Sequence, residues 1–298
     1  SMGLPVISID CKKKENLGNF KNGGAEYRPK GKPRHVYDHD WLIKELGKVA
    51  PFGIYNLNNN VGYVNLGQSR DTAEFASESV ARWWHFLGEE NFPGCRKLFI
   101  VCDGGGSNGS RVRLWKWALA CFAEFYGLEI HVSHLPPGTS KWNKVEHRLF
   151  SYISKSWTGQ PLVDIETVVN LISNTTTRTG LKVRCDIDNN VYLKGTKITD
   201  EELDQIALDP IPEFGTWNYI IRDLSTTKIE KLFPNYSLPH RELTHRLPSR
   251  VSSSCRRPEA DPPGQKRNQS SAGRGGAARA RLKPCILLGP TPISRIRS

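Results

Sequence analysis

The chain has no Cys-x-x-Cys pair, no apolar run long enough to cross a membrane, no apolar segment behind its N-terminal lysines and no internal repeat. Each absence excludes a class of protein. The seven cysteines, an odd number without paired spacing, argue against a zinc site or a disulfide framework and point to a reducing cytosol. Without a long apolar run no membrane partner is expected. Lys12, Lys13 and Lys14 lead into no apolar segment, so no secretory signal is expected. Acid is what the C-terminal end lacks. From Thr244 to Ser298 twelve lysines and arginines face only Glu259 and Asp261. The formal net charge of +12 is therefore mostly the property of this tail, because thirty basic and twenty-eight acidic residues precede it.

What is present divides into three regions. Residues 4–157 alternate strand and helix patterns and read as the main core. Val6–Ile9 is a short apolar strand. Gly53–Leu57 and Val61–Leu66 flank Asn58-Asn59-Asn60, a hairpin signal. Asp71 is placed to cap a helix running through Ala73, Ala76, Val80 and Trp84. A strand follows at Leu98–Cys102. Val112, Trp115, Leu119, Phe122 and Tyr126 recur at helical spacing, Glu129–Ser133 is a further strand, and a helix is predicted from about Lys141 to Trp157. This order predicts an α/β fold with a mixed sheet flanked by helices. Residues 158–243 read as a small accessory α+β region. It has a helix around Ile165–Ile172, a second hairpin of Lys182–Asp188 and Val191–Lys194, and a short helix capped by Thr199 or Asp200. Residues 244–298 are rich in Ser, Arg, Pro and Gly without periodicity. They are expected to be a disordered basic tail, and the abrupt change of composition also resembles out-of-frame translation.

The stretch Lys97-Leu-Phe-Ile-Val-Cys-Asp103 runs straight into Gly-Gly-Gly-Ser-Asn-Gly109. A carboxylate ending a buried strand costs free energy unless a metal ion, a cation or backbone donors compensate it. The glycines that follow suit close approach of backbone to a ligand. No Gly-Lys-Ser/Thr closes the turn, which excludes a nucleotide P-loop. Asp10 ends the apolar run Val6-Ile-Ser-Ile-Asp10, and Glu146 lies at the edge of the apolar stripe Val145, Leu149, Ile153. Three such carboxylates can hold two magnesium ions, and two ions can cut and join phosphodiesters. Each residue also has a plainer reading. Asp10 can pair with Lys12 or Lys13, and a helix glutamate is commonly just solvated. Asp38 and Asp40 offer a reserve acidic pair in place of Asp10.

The blocks Ile9–Phe20, Ala50–Tyr55, Asp103–Arg111 and Pro136–Phe150 resemble the Rhodopirellula-type transposases, bacterial insertion-sequence enzymes with a DDE catalytic domain. The resemblance spans about residues 4–222. It implies a ribonuclease-H-like fold, a triad of Asp10, Asp103 and Glu146 that is both catalytic and metal-ligating, and two Mg2+ or Mn2+ ions. It further implies strand transfer from transposon ends to target DNA, a homo-oligomeric transposition complex, and a cytoplasmic, nucleoid-associated setting in a bacterium. Residues expected near DNA are Asn108, Arg111, His134, Lys141, Trp142, Asn143, Lys144 and His147. For Asn108 the rival role is a helix cap, for Trp142 a core anchor, and for the histidines and lysines a solvated surface. Arg111, Arg113 and Lys116 fit either a phosphate track or the polar face of a helix. The family carries a DNA-binding region ahead of the first catalytic strand, whereas here that strand starts within a few residues of Ser1. The chain therefore reads as a catalytic-domain fragment or truncated element. Two alternatives follow: an inactive remnant that binds DNA or a full-length transposase without catalysis, and a ribonuclease-H-like nuclease that only hydrolyses.

Overall fold

The apolar run after Pro5 becomes a central strand of the molecule, seen in a computed structural model of the chain. The structure describes residues 3–37 and 43–222. They belong to one unit, Ser1–Pro248, and the second unit, Ser249–Ser298, lies outside them. The expected tail 244–298 and the reserve pair Asp38 and Asp40 likewise lie outside the described residues.

In chain order the elements are β1 (Val6–Cys11), the short β2 (Glu15–Asn16), β3 (Lys48–Asn56) and β4 (Val61–Gly67). Helix α1 (Ala73–Trp83) runs on through a π-helical turn, Trp84–Gly88, into α2 (Glu89–Asn91). Next come β5 (Lys97–Asp103), α3 (Arg113–Tyr126) and β6 (Glu129–Leu135). A 3-10 turn at Ser140–Trp142 precedes a π-helical turn at Glu146–Phe150 that continues as α4 (Ser151–Ser156). The remainder is α5 (Ile165–Ser173), β7 (Lys182–Asp188), α6 (Asp200–Leu203), β8 (Leu208–Pro210) and β9 (Asn218–Ile221).

The sheet order is β7-β4-β3-β1-β5-β6-β9-β8, with β2 beside β3. The hairpin β3–β4 is antiparallel to β1, and β1, β5 and β6 are parallel neighbours. This is the mixed α/β sheet expected of a ribonuclease-H-like core. Helices cover both faces because the strands alternate two apolar sets. Ile7, Ile9, Phe52, Ile54, Leu98 and Ile100 pack with α1 and α3 through Trp83, Trp115, Leu119 and Phe122. On the other face Val64 and Leu66 pack with Val145, Leu149, Phe150, Ile153, Val168 and Ile172. Each such fully buried side chain contributes on the order of 1.5–3 kcal/mol. Residues 158–222 do not stand apart. Through β7 and β9 they extend both sides of the same sheet.

Local signals explain several helix ends. Asp164 caps α5 by accepting the Thr167 N–H, and Thr199 caps α6 in a reciprocal box with Glu202. Gly127 closes α3 in the left-handed region at φ 62°. Three expectations need correction. The cap of α1 is Thr72, not Asp71, since its hydroxyl accepts the Phe75 N–H while Asp71 accepts the Ser107 hydroxyl. Val191–Lys194 is not a strand. Tyr192 turns inward to donate to buried Asp188 and packs 5.4 Å from Phe75, so β7 pairs with β4 instead of a hairpin mate. The helix predicted from Lys141 is interrupted at Asn143, whose backbone is extended.

Candidate active site

Parallel pairing of β1 and β5 places Ile9 opposite Cys102, so Asp10 and Asp103 leave neighbouring strands side by side. Both point away from the face that holds Ile9 and Cys102. The helix entering at Val145 crosses this opposite face. It comes close because Gly53, paired with Asp10, has no side chain: a Cβ there would run into the Phe150 ring. Glu146 on the first turn of that helix is thereby brought within hydrogen-bond reach of Asp10.

Burial first, and then the charges of Asp103 and Glu146, push the Asp10 carboxyl up to about 7; the Cys11 N–H, 2.8 Å from Asp10 Oδ1, opposes this. Lys12 does not neutralise Asp10, since it pairs with Glu15 at 2.6 Å. A cleft of about 490 Å³ opens beside Asp10 and Asp103, walled by Gly104–Gly106 and Pro136–Gly138.

The donor set, three carboxylates from three elements, suits a hard divalent cation. The accumulated charge that makes Asp10 retain a proton is the condition a cation would relieve. Among the described residues, however, no group of three His, Cys, Asp or Glu side chains is already arranged to hold a metal ion. Burial and the neighbouring Asp103 and Glu146 charges favour a proton on Asp10. One Asp103 oxygen is engaged by Asn143 at 3.0 Å. Coordination therefore needs that proton to leave.

Asn143 is the residue whose place the sequence did not reveal. It is 0% exposed, so it does not sit on a DNA-facing surface as expected. Its Nδ2 donates to Asp103 Oδ1 and, at 3.1 Å, to the Ile9 carbonyl. Its Oδ1 accepts the Ser8 hydroxyl, and Ser8 Oγ in turn accepts the Val145 N–H at 2.9 Å. This buried chain ties β1, β5 and the helix start together, the three elements that carry the carboxylates. Ser8, a lone hydroxyl inside an apolar run, was the available signal.

His134 is also corrected. It faces the other side of the sheet, level with Cys102, and is 3% exposed. Its Nδ1–H donates to the Asp103 carbonyl at 3.0 Å, its Nε2 accepts the Tyr219 hydroxyl at 3.0 Å, and Trp115 Nε1 donates to that hydroxyl at 3.1 Å. Burial holds its pKa below the ordinary value. It supports the strand end from behind and cannot reach a phosphate beside Asp103. Asn108 is buried as well, and Val112 rather than Asn108 stands at the start of α3. Arg111, Lys141, Trp142, Lys144 and His147 are exposed; Trp142 at 59% is no core anchor. His147 donates to the Lys141 carbonyl. Arg113 pairs with Asp200, and Lys116 lies 5.1 Å over the Tyr219 ring. Cys11, Cys95, Cys102, Cys121 and Cys185 are free thiols.

No curated protein matches the chain. Two solved structures are similar to part of it. One is the Mos1 transposase paired-end complex with left transposon end, at 14% identity and TM-score 0.38. The other is the Mos1 mariner paired end complex with Mn, at 14% identity and TM-score 0.35. Each match covers 55% of this chain and 45% of the other, so the chain spans less than half the length of these structures. The family model of the Rhodopirellula transposase DDE domain matches residues 1–223. That match takes in all three carboxylates and most of the chain, and the protein belongs to the Rhodopirellula transposase DDE domain family.

Proposed function

We propose that the chain is the catalytic part of a transposase that cleaves phosphodiesters at transposon ends and joins the freed 3′-hydroxyl to target DNA. The observation that carries this reading is the convergence of Asp10, Asp103 and Glu146 from two parallel strand ends and a helix start. Family membership supports it. In this reading residues 4–157 are the catalytic core and 158–243 complete it. DNA is the substrate, and the protein works as a homo-oligomer in the bacterial cytoplasm at the nucleoid. No helix among the described residues is long and apolar enough to cross a membrane.

Asp10, Asp103 and Glu146 would hold magnesium or manganese, in a pair of ions. When bound, such ions lower the pKa of an attacking hydroxyl and stabilise a leaving oxygen. The chain's own residues prepare the site. Asp10 gives up its proton near neutral pH. Asn143 orients Asp103, and Ser8 anchors the backbone just ahead of Glu146. Gly104–Gly106 leave the floor of the cleft without side chains, so a phosphodiester can approach the backbone. Lys141, Trp142, Lys144 and Arg111 stand exposed and available to position DNA.

The test is nicking of supercoiled plasmid with Mg2+ or Mn2+, comparing the chain with Asp103→Asn, followed by strand-transfer products with pre-cleaved ends. Metal-dependent nicking abolished by the substitution supports the reading. No nicking, together with no metal binding by calorimetry, sinks it.

A further inference from the structure

Segment 12–34 carries eight lysines and arginines against two glutamates, whereas the other residues up to 243 carry twenty-two against twenty-six. The positive charge of this part of the chain is thus concentrated in the stretch that leaves the site directly after Asp10. The fold pins that stretch firmly. Phe20 is buried and bridges to Tyr37. Lys21 N–H donates to the Tyr37 carbonyl and Tyr37 N–H to the Asn19 carbonyl, both at 2.8 Å, closing the loop at its base. Asn22 Nδ2 donates to the carbonyls of Trp157 and Gln160, and Gly159 N–H donates to the Gly23 carbonyl. The loop is therefore strapped to the far end of the helix whose first turn bears Glu146. Lys12 reinforces the strap, lying 4.8 Å over the Trp157 ring.

Two grooves of about 440 and 400 Å³ run along this loop and share Lys21 and Asn22 in their walls. Arg28 and Arg34 share Glu26, at 3.0 and 3.3 Å. Lys13, Lys21, Lys30 and Lys32 have no carboxylate partner among the described residues. Tyr27 stands wholly in solvent between them, at 103% exposure. Cations held close together repel one another and gain most from a polyanion whose charges recur along a line.

We propose that loop 12–34 is a docking surface for the phosphate backbone of duplex DNA that flanks the cleaved bond. This rests on the DNA-processing reading of the carboxylate site. Trp157 follows Glu146 by about 16 Å of helix at 1.5 Å per residue, which corresponds to roughly five base pairs at 3.4 Å each. The lysines act as point charges and read no sequence. Tyr27 adds ring contact with sugar or base.

The test is fluorescence anisotropy of the full chain on a labelled duplex, titrated between about 50 and 200 mM salt. The combined variant Lys21→Ala, Lys30→Ala, Lys32→Ala is expected to lower the salt slope by about 2 to 3, at about 0.9 per phosphate contact. It should also weaken binding about tenfold or more at low salt. The matching lysine-to-arginine variant keeps the slope, and Tyr27→Ala weakens binding without changing it. A wild-type slope in the alanine variant overturns the proposal, as does a wild-type chain that fails to bind duplex. Circular dichroism identical to wild type shows that the variants are folded. Nicking is read in parallel: binding through the loop without nicking keeps this inference and removes the catalytic reading. Nicking with an unchanged slope in the alanine variant does the reverse.

Discussion

The Asn143 amide nitrogen lies 3.0 Å from Asp103 Oδ1, so a fully buried amide sets the orientation of a carboxylate on a different element. The same nitrogen holds the Ile9 carbonyl, one residue before Asp10. Removing it leaves buried acceptors without a donor, which costs about 1–3 kcal/mol. Asn143→Ala is expected to lower the thermal midpoint and to reduce nicking more than Lys141→Ala, whose side chain is exposed. Equal effects of the two substitutions in melts and nicking assays would remove Asn143 from its positioning role.

Asp10 should make the metal-free protein less stable as pH rises. Its folded pKa, about 7, exceeds its ordinary value of 3.8, so between these values the folded state binds more protons than the unfolded one. The stabilisation is complete below pH 3.8 and is lost as pH climbs through about 7. Thermal melts of Asp10→Asn should lack this slope. Added Mg2+ should raise the midpoint more at pH 8 than at pH 5, because the proton competes with the cation; the opposite order would contradict a shared site.

His134 gives a slope of the other sign. Burial holds its folded pKa below 6.5, so the unfolded state binds more protons in that interval. Its contribution is fully present above pH 6.5 and is lost as pH falls through the folded value. His134→Gln should flatten the loss of stability between pH 7 and pH 5. The variant should also melt lower throughout, since the Tyr219 and Asp103 bonds are disturbed. His147→Ala, on an exposed residue, should leave the melting profile close to wild type.

Gly53 tests the approach of helix to sheet. A larger side chain there meets the Phe150 ring and, at 3.2 Å, Val145 Cγ2. Gly53→Val is expected to cost about 1–3 kcal/mol through overpacking. It should also cut nicking by displacing Glu146 from Asp10. Loss of stability with undiminished metal affinity by calorimetry would show that the spacing is not set at this contact.

Much of the architecture could be read from residue order. An apolar run closed by Asp103 and three glycines has few other uses than a strand end at a site, and the β3–β4 hairpin and the capped α5 and α6 follow from local chemistry. Polar residues whose burial depends on partners far along the chain could not be placed. In Lys141-Trp-Asn-Lys144 the tryptophan is the apolar residue, and nothing in the run says that Asn143 instead turns inward to meet Ser8, 135 residues earlier. Tyr192 looked like part of a strand until Asp188 and Phe75 drew it into the core. His134 illustrates the period-two rule most sharply. Strand pairing puts it level with Cys102, and one residue of register separates the face that carries Asp10 and Asp103 from the face that buries an imidazole. The sequence by itself determined which carboxylates and glycines exist and which strands end in them, because those are properties of short runs. Only the tertiary structure decided which side chains share a face and which amide holds them, because hydrogen bonds and close packing depend on distances that sequence separation does not encode.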